Sequence, residues 1–114
     1  MLLVEDSALV ADALRILLEE YGYQVSLADS LASARASLDA SKPDVVLLDV
    51  TLPDGDGLSL AREWTAGDGP LVMALTGFAD DDTRQRCLDA GCRIVLVKPV
   101  SAADLLEQLA LVGP

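Results

Sequence analysis

The stretch Asp44-Val45-Val46-Leu47-Leu48-Asp49-Val50-Thr51-Leu52-Pro53-Asp54-Gly55-Asp56-Gly57 decides the fold. An uninterrupted apolar run, Val45 to Leu48, ends on a carboxylate, and a loop of Pro, Asp and Gly follows at once. Such a short run, rich in Val and Leu, reads as a strand buried on both faces of a parallel sheet. Asp49 then stands where the strand leaves the sheet, and open α/β sheets bind ligands outside the carboxyl ends of their strands. An isolated Asp in that place is most simply a turn cap. The rest of the chain argues for more.

Upstream, Met1 to Val4 repeats the pattern and ends on Glu5-Asp6. Ser7 is a helix N-cap candidate. Val10, Leu14, Leu17 and Tyr21 recur at helical spacing, and Gly22 supplies the stop. Tyr23 to Ala28 reads as a second strand. Ser30 opens a second helix with Leu31, Ala34 and Leu38 on one face, and Ser41-Lys42-Pro43 breaks it.

Downstream, the pattern predicts a third helix from Gly57 to about Ala66, with Leu58, Ala61 and Trp64 inward. Gly67-Asp68-Gly69-Pro70 is a turn. Leu71 to Leu75 is a fourth strand ending at Thr76-Gly77. Asp80, Asp81 and Asp82 crowd the first turn of a fourth helix, where they complement its dipole. Ala90-Gly91 ends that helix. Ile94 to Val97 is a fifth strand ending at Lys98-Pro99. Ser101-Ala102-Ala103-Asp104 resembles a capping box, and a last helix carries Leu105, Leu109 and Val112. Five short apolar strands alternating with five helices predict an α/β fold: a five-stranded parallel sheet covered by helices on both faces.

The chain has 114 residues, enough for one domain, 1–114, with no visible linker or repeat. Just over half of the residues are apolar, which excludes a disordered chain. The net charge of −11, with no histidine, disfavours direct nucleic-acid binding and suits cations and basic partners. Cys87 and Cys92 match neither zinc nor thioredoxin spacing and read as reduced packing residues. No basic segment precedes the apolar start and no run is long enough to cross a bilayer, so a soluble, cytoplasmic protein without membrane contact is expected. The tight ends suggest a domain trimmed from a longer chain, with a small stand-alone protein as the alternative. The sequence leaves a monomer or a weak homodimer open.

Four strand ends carry polar groups: Glu5-Asp6, Asp49, Thr76 and Lys98. In a parallel sheet these ends share one edge. Two carboxylates about 4 Å apart repel by roughly 4 kcal/mol at an effective dielectric near 20. A hard cation relieves that cost, and Mg²⁺ typically binds few carboxylates and takes phosphate oxygens as well. An Asp beside Mg²⁺ is a competent nucleophile toward a phosphoryl group, with Lys98 and the Thr76 hydroxyl available for its oxygens. Each residue alone has an ordinary structural explanation: a cap, a strand-end hydroxyl, an ion pair. Four of them in register on one edge do not.

With these residues in view, the chain resembles the receiver domains of two-component response regulators over essentially its whole length. The resemblance rests on Val4-Glu5-Asp6-Ser7, on Leu48 to Gly57, on Thr76-Gly77 and on Lys98-Pro99. It implies a three-layer, flavodoxin-like fold with strand order 2-1-3-4-5. It implies that Asp49 accepts a phosphoryl group from a phosphohistidine of a histidine kinase or histidine phosphotransfer protein. Asp6, Asp49 and the backbone carbonyl of Thr51 would ligate Mg²⁺, with Glu5 acting mainly through water. Thr76, Lys98 and the Gly77 backbone N–H would hold the phosphoryl oxygens, and the Lys98–Pro99 bond would be cis. Chemistry would be limited to self-phosphorylation and self-dephosphorylation, so the domain is not expected to be a turnover enzyme.

Many receivers carry Tyr or Phe three residues before the lysine, and here that position is Val95. The usual aromatic readout is therefore not expected. Lys98-Pro99-Val100 looks somewhat like receivers appended to hybrid histidine kinases. Two alternatives remain open at this level. A haloacid-dehalogenase-like phosphohydrolase would need an acid two residues after its nucleophile, where this chain has Thr51. A pseudo-receiver, a phosphorylation-independent interaction module, would usually lack one of the acids or the lysine.

Overall fold

The structure, a computed structural model, describes residues 1–52, 55–67, 69–77 and 80–111. In chain order its elements are β1 (Leu2–Val4), α1 (Ala8–Glu20), β2 (Ser26–Ala28), α2 (Leu31–Ser41), β3 (Val45–Asp49), β4 (Thr51–Leu52), β5 (Gly55–Asp56), α3 (Leu58–Trp64), β6 (Leu71–Thr76), α4 (Asp81–Asp89), β7 (Ile94–Val97) and α5 (Ala102–Leu111). The main sheet is parallel throughout, in the order β2-β1-β3-β6-β7. Counted over these five strands alone, that is the expected order 2-1-3-4-5. The remaining strands, β4 and β5, form a small antiparallel ribbon where the sequence pattern predicts a loop.

The apolar runs explain the layering. Successive side chains of a strand point to opposite faces. Leu2, Val4, Val46, Leu48, Val72 and Ala74 accordingly join one core with residues of α2, α3 and α4. Leu3, Leu47, Met73 and Leu75 join a second core with Ala11 and Leu18 of α1 and Leu105 and Leu109 of α5. A strand feeding two cores has no polar face, and this is why these segments do not alternate in sequence.

Helix ends follow local chemistry. Ser7, Ser30 and Asp80 accept hydrogen bonds from the backbone N–H groups of Val10, Ser33 and Thr83. Ser101 Oγ accepts from Asp104 N–H at 3.0 Å, as its motif predicts. Helices α1 and α4 close on Gly22 (φ +91°) and Gly91 (φ +98°). After each glycine the next N–H returns to a carbonyl five residues earlier, Tyr23 to Leu18 and Cys92 to Cys87, both at 3.1 Å. This is the αL-capped helix ending that glycine permits.

That ending corrects the second strand. Tyr23 was expected to begin it, but its N–H is committed to the α1 cap, and the sheet starts at Ser26, whose N–H meets Met1 O at 2.9 Å. The inward face of α1 is also shifted. Ala11 and Leu18 are buried with Leu14 half-buried, whereas Val10 and Tyr21 are exposed. The two stripes share Leu14, and the small Ala11 side chain lies against the sheet in the second core. The third helix stops at Trp64, earlier than expected, with Leu58, Ala61 and Trp64 buried as predicted. Val112 lies outside the described residues, as do Pro53 and Asp54 of the quoted stretch. No helix among the described residues is long and apolar enough to cross a membrane.

Candidate functional site

Strand register brings the polar ends together. Val4 pairs with Leu48, Asp49 with Leu75, and Thr76 with Val97. Glu5, Asp49, Thr76 and Lys98 therefore form a row along the carboxyl edge of the sheet. The backbone is tied there as well, with Lys98 N–H donating to Thr76 O at 2.7 Å and Val50 N–H donating to Leu75 O at 3.1 Å. The Lys98–Pro99 peptide bond is cis.

Three of these residues are buried polar groups: Glu5 at 3%, Asp49 at 5% and Thr76 at 1% exposure. Asp6, next to Glu5, is exposed. Lys98 reaches from β7 past β6, and its Nζ donates to Glu5 Oε2 at 2.7 Å and to Asp49 Oδ2 at 2.9 Å. Glu5 Oε1 also accepts from Ser7 N–H at 3.2 Å. Glu5 and Asp49 thus share a single ammonium.

The electrostatics follow from that sharing. Burial raises the Glu5 pKa, and the nearby Asp49 charge adds to the rise, outweighing the lowering by Lys98 and by the Ser7 N–H. For Lys98, burial works against the charge, but the hydrogen bonds to Glu5 and Asp49 prevail and hold its pKa above the ordinary value. Glu5 and Asp49 against Lys98 leave one uncompensated negative charge, and exposed Asp6 adds another. Glu5, Asp6 and Asp49 each present a carboxylate oxygen, all within 4.8 Å of one another. At that separation each pair repels by roughly 3 kcal/mol at an effective dielectric near 20. An oxygen-only, net-negative donor set of this size fits Mg²⁺ by the chemistry of its ligands.

A cleft of about 330 Å³ opens beside Glu5 and Asp6 and is also lined by Asp12, Asp29 and Ser33. Another, of about 340 Å³, lies on the far side of Thr76 against Asp56, Thr83 and Arg86. Both give access to the edge of the sheet. Gly77 follows Thr76 at that edge and is exposed. The Thr51 backbone belongs to the ribbon, paired with Asp56. Val95 is half-buried in β7, opposite Ala74.

Two features escaped the sequence reading. One is the double engagement of Lys98, whose partners lie 93 and 49 residues away in the chain. The other is Gly57. A Cβ at this glycine would come within 2.6 Å of the Asp49 carbonyl oxygen. Its backbone is ordinary αR, so no turn signal marks it.

Comparison with known proteins places this doubly wound parallel sheet in a family. The sequence profile described as the response regulator receiver domain matches residues 1–110. The chain belongs to that family. The virulence transcriptional regulatory protein PhoP of Salmonella typhimurium is 33% identical over 110 residues, which cover 96% of this chain and 49% of PhoP. The chain thus spans about half the length of that relative. Among solved structures, the BeF₃-activated N-terminal receiver domain of Klebsiella pneumoniae RstA superposes with a TM-score of 0.90 at 28% identity, covering 96% of this chain and 94% of that one. The receiver domain of the sensor histidine kinase PA1611 from Pseudomonas aeruginosa, solved with a magnesium ion coordinated in its active-site cleft, gives 0.85 at 34% identity, covering 96% and 93%.

Proposed function

We propose that residues 1–114 form a single receiver domain whose phosphoacceptor is Asp49, and that its donor is a phosphohistidine on a histidine kinase or histidine phosphotransfer protein. The observation that carries this reading is the shared ammonium. Lys98 bonds the Asp49 carboxylate while both are held at the carboxyl edge, beside Glu5 and Asp6. In the transfer, an Asp49 carboxylate oxygen forms the new P–O bond as the donor's P–N bond breaks. The electron pair stays with the imidazole, which leaves neutral after taking up its proton from water. Nothing is oxidised or reduced. Hydrolysis of the acyl phosphate by water restores the carboxylate.

The chain's own groups align and neutralise, which is most of what phosphoryl transfer needs. Asp6, Asp49 and the Thr51 carbonyl would hold Mg²⁺, with Glu5 contributing through water. When bound, Mg²⁺ supplies positive charge against the phosphoryl oxygens. Lys98 turns part of its hydrogen bonding from Glu5 and Asp49 toward the incoming phosphoryl group. The Thr76 hydroxyl and the Gly77 N–H donate to its other oxygens. With Val95 in place of an aromatic, the change stays local to the segments after Asp49 and Thr76 and to the start of α4. A cytoplasmic setting, and a domain acting within a longer chain, fit this role.

The test is intact-mass spectrometry after incubation with acetyl phosphate and Mg²⁺. One added phosphoryl group on the native chain, and none on Asp49→Ala, is the expected result. A phosphorylated Asp49→Ala, or catalytic turnover of small phosphate esters, would overturn the reading.

A further inference from the structure

Gly57 lies between β5 and α3 with φ −58° and ψ −27°, a conformation any residue adopts. Conformational freedom therefore does not explain the glycine. Space does. A Cβ there would lie 2.6 Å from the Asp49 carbonyl oxygen, 3.0 Å from Val50 Cα and 3.3 Å from Val50 C. All three atoms are backbone, so no side-chain rotation relieves the contact. From the same position the Gly57 N–H donates to Val50 O at 3.0 Å. On the other side, Val50 N–H is bonded to Leu75 O at 3.1 Å. Val50, the residue that follows Asp49, is thus held between β6 through its N–H and Gly57 through its carbonyl.

We propose that Gly57 is a positioning residue for the phosphoacceptor. By carrying no side chain, it lets the chain leaving the ribbon close directly onto the Asp49–Val50 peptide. This fixes the direction of the Asp49 carboxylate toward Lys98 and the other acids. The inference rests on the proposed role of Asp49 and adds the device that aims it. An alanine at Gly57 must push the Asp49 carbonyl away by several tenths of an ångström before ordinary contact returns. Misplacement by about 1 Å can cost a reaction roughly 100-fold. Gly57→Ala is therefore expected to slow phosphorylation by roughly 10- to 100-fold. Gly67 serves as the control, because a Cβ there meets nothing within 4 Å.

The experiment measures the single-turnover rate of phosphorylation by acetyl phosphate at saturating Mg²⁺ for the native chain, Gly57→Ala and Gly67→Ala. Rates are normalised to the folded fraction from circular dichroism. The Asp49 carbonyl ¹³C resonance is recorded for each. If Gly57→Ala is partly unfolded, the comparison is made in trimethylamine N-oxide, which favours the compact state. The expected result is a slow Gly57→Ala with a displaced Asp49 carbonyl resonance, beside a Gly67→Ala that matches the native chain in both. A native rate for folded Gly57→Ala, or an unmoved resonance, overturns the inference while leaving the Asp49 reading intact. A native chain that takes no phosphoryl group overturns both.

Discussion

The middle of the sheet and its carboxyl edge are built from the same strands, one residue apart, and obey opposite rules. In the middle, Val4, Leu48 and Leu75 are buried among apolar neighbours and stabilise the fold by leaving water. At the edge, Glu5, Asp49 and Thr76 are just as buried but polar, and two of them carry charge. Burying a charge costs free energy unless it is paired, and here one ammonium serves two carboxylates. The middle therefore holds the molecule together, and the edge draws on that stability to keep acids close enough to do chemistry.

Substitutions can break this contrast at either end. The largest effect on stability is expected from the middle. Leu47 is fully buried in the second core. Leu47→Ala should lower the unfolding free energy by about 3 kcal/mol, through lost burial and the cavity left behind. Urea denaturation measures it, and a loss under 1 kcal/mol would show that the core is looser than its burial implies.

Lys98→Met comes next and acts at the edge. It leaves Glu5 and Asp49 facing each other without their shared cation. Metal-free protein should lose about 2 kcal/mol, the scale of hydrogen bonds to charged groups, a figure already reduced for the solvent that reaches the lysine. The loss should shrink when Mg²⁺ is added, because the carboxylates freed of Lys98 bind the cation more tightly in the variant than in the native chain, and that extra binding offsets part of the loss. A loss equal with and without the metal would mean that the cation does not share the lysine's place.

The smallest effect at neutral pH belongs to Cys92, which tests how firmly the core excludes charge. Burial raises its thiol to about 12 from an ordinary 9.0, with Cys87 adding to the shift. A raised folded pKa means that the thiol's contribution is complete below pH 9.0 and is lost as the pH climbs toward 12. Alkylation of Cys92 by iodoacetamide at pH 8 should thus be far slower in the folded than in the urea-unfolded chain. Equal rates would show that this part of the core opens to solvent.

Much of the middle was legible because strands buried on both faces announce themselves as unbroken apolar runs. Val45 to Leu48, Leu71 to Leu75 and Ile94 to Val97 could hardly be anything else. The family was legible too, since an acid, a hydroxyl and a lysine ending successive runs must share an edge if the sheet is parallel. What stayed hidden depends on distances across the chain. That Lys98 would engage both Glu5 and Asp49 follows from strand register, which sequence does not carry. Tyr23 looked like strand by composition, but its N–H was already spent on closing α1. The need for Gly57 is a contact with the Asp49 backbone, invisible until the ribbon is folded against it.

The contrast between middle and edge is tested most directly by Asp49→Ala, measured for phosphoryl uptake and for metal-free unfolding free energy in the same preparation. Removing this acid leaves Lys98 paired with Glu5 and cancels the one uncompensated charge among Glu5, Asp49 and Lys98. The account predicts no phosphoryl group in the intact mass after acetyl phosphate and Mg²⁺, together with a stability equal to or above that of the native chain. A variant that still gains one phosphoryl group, or that loses several kcal/mol as a core substitution does, would contradict it.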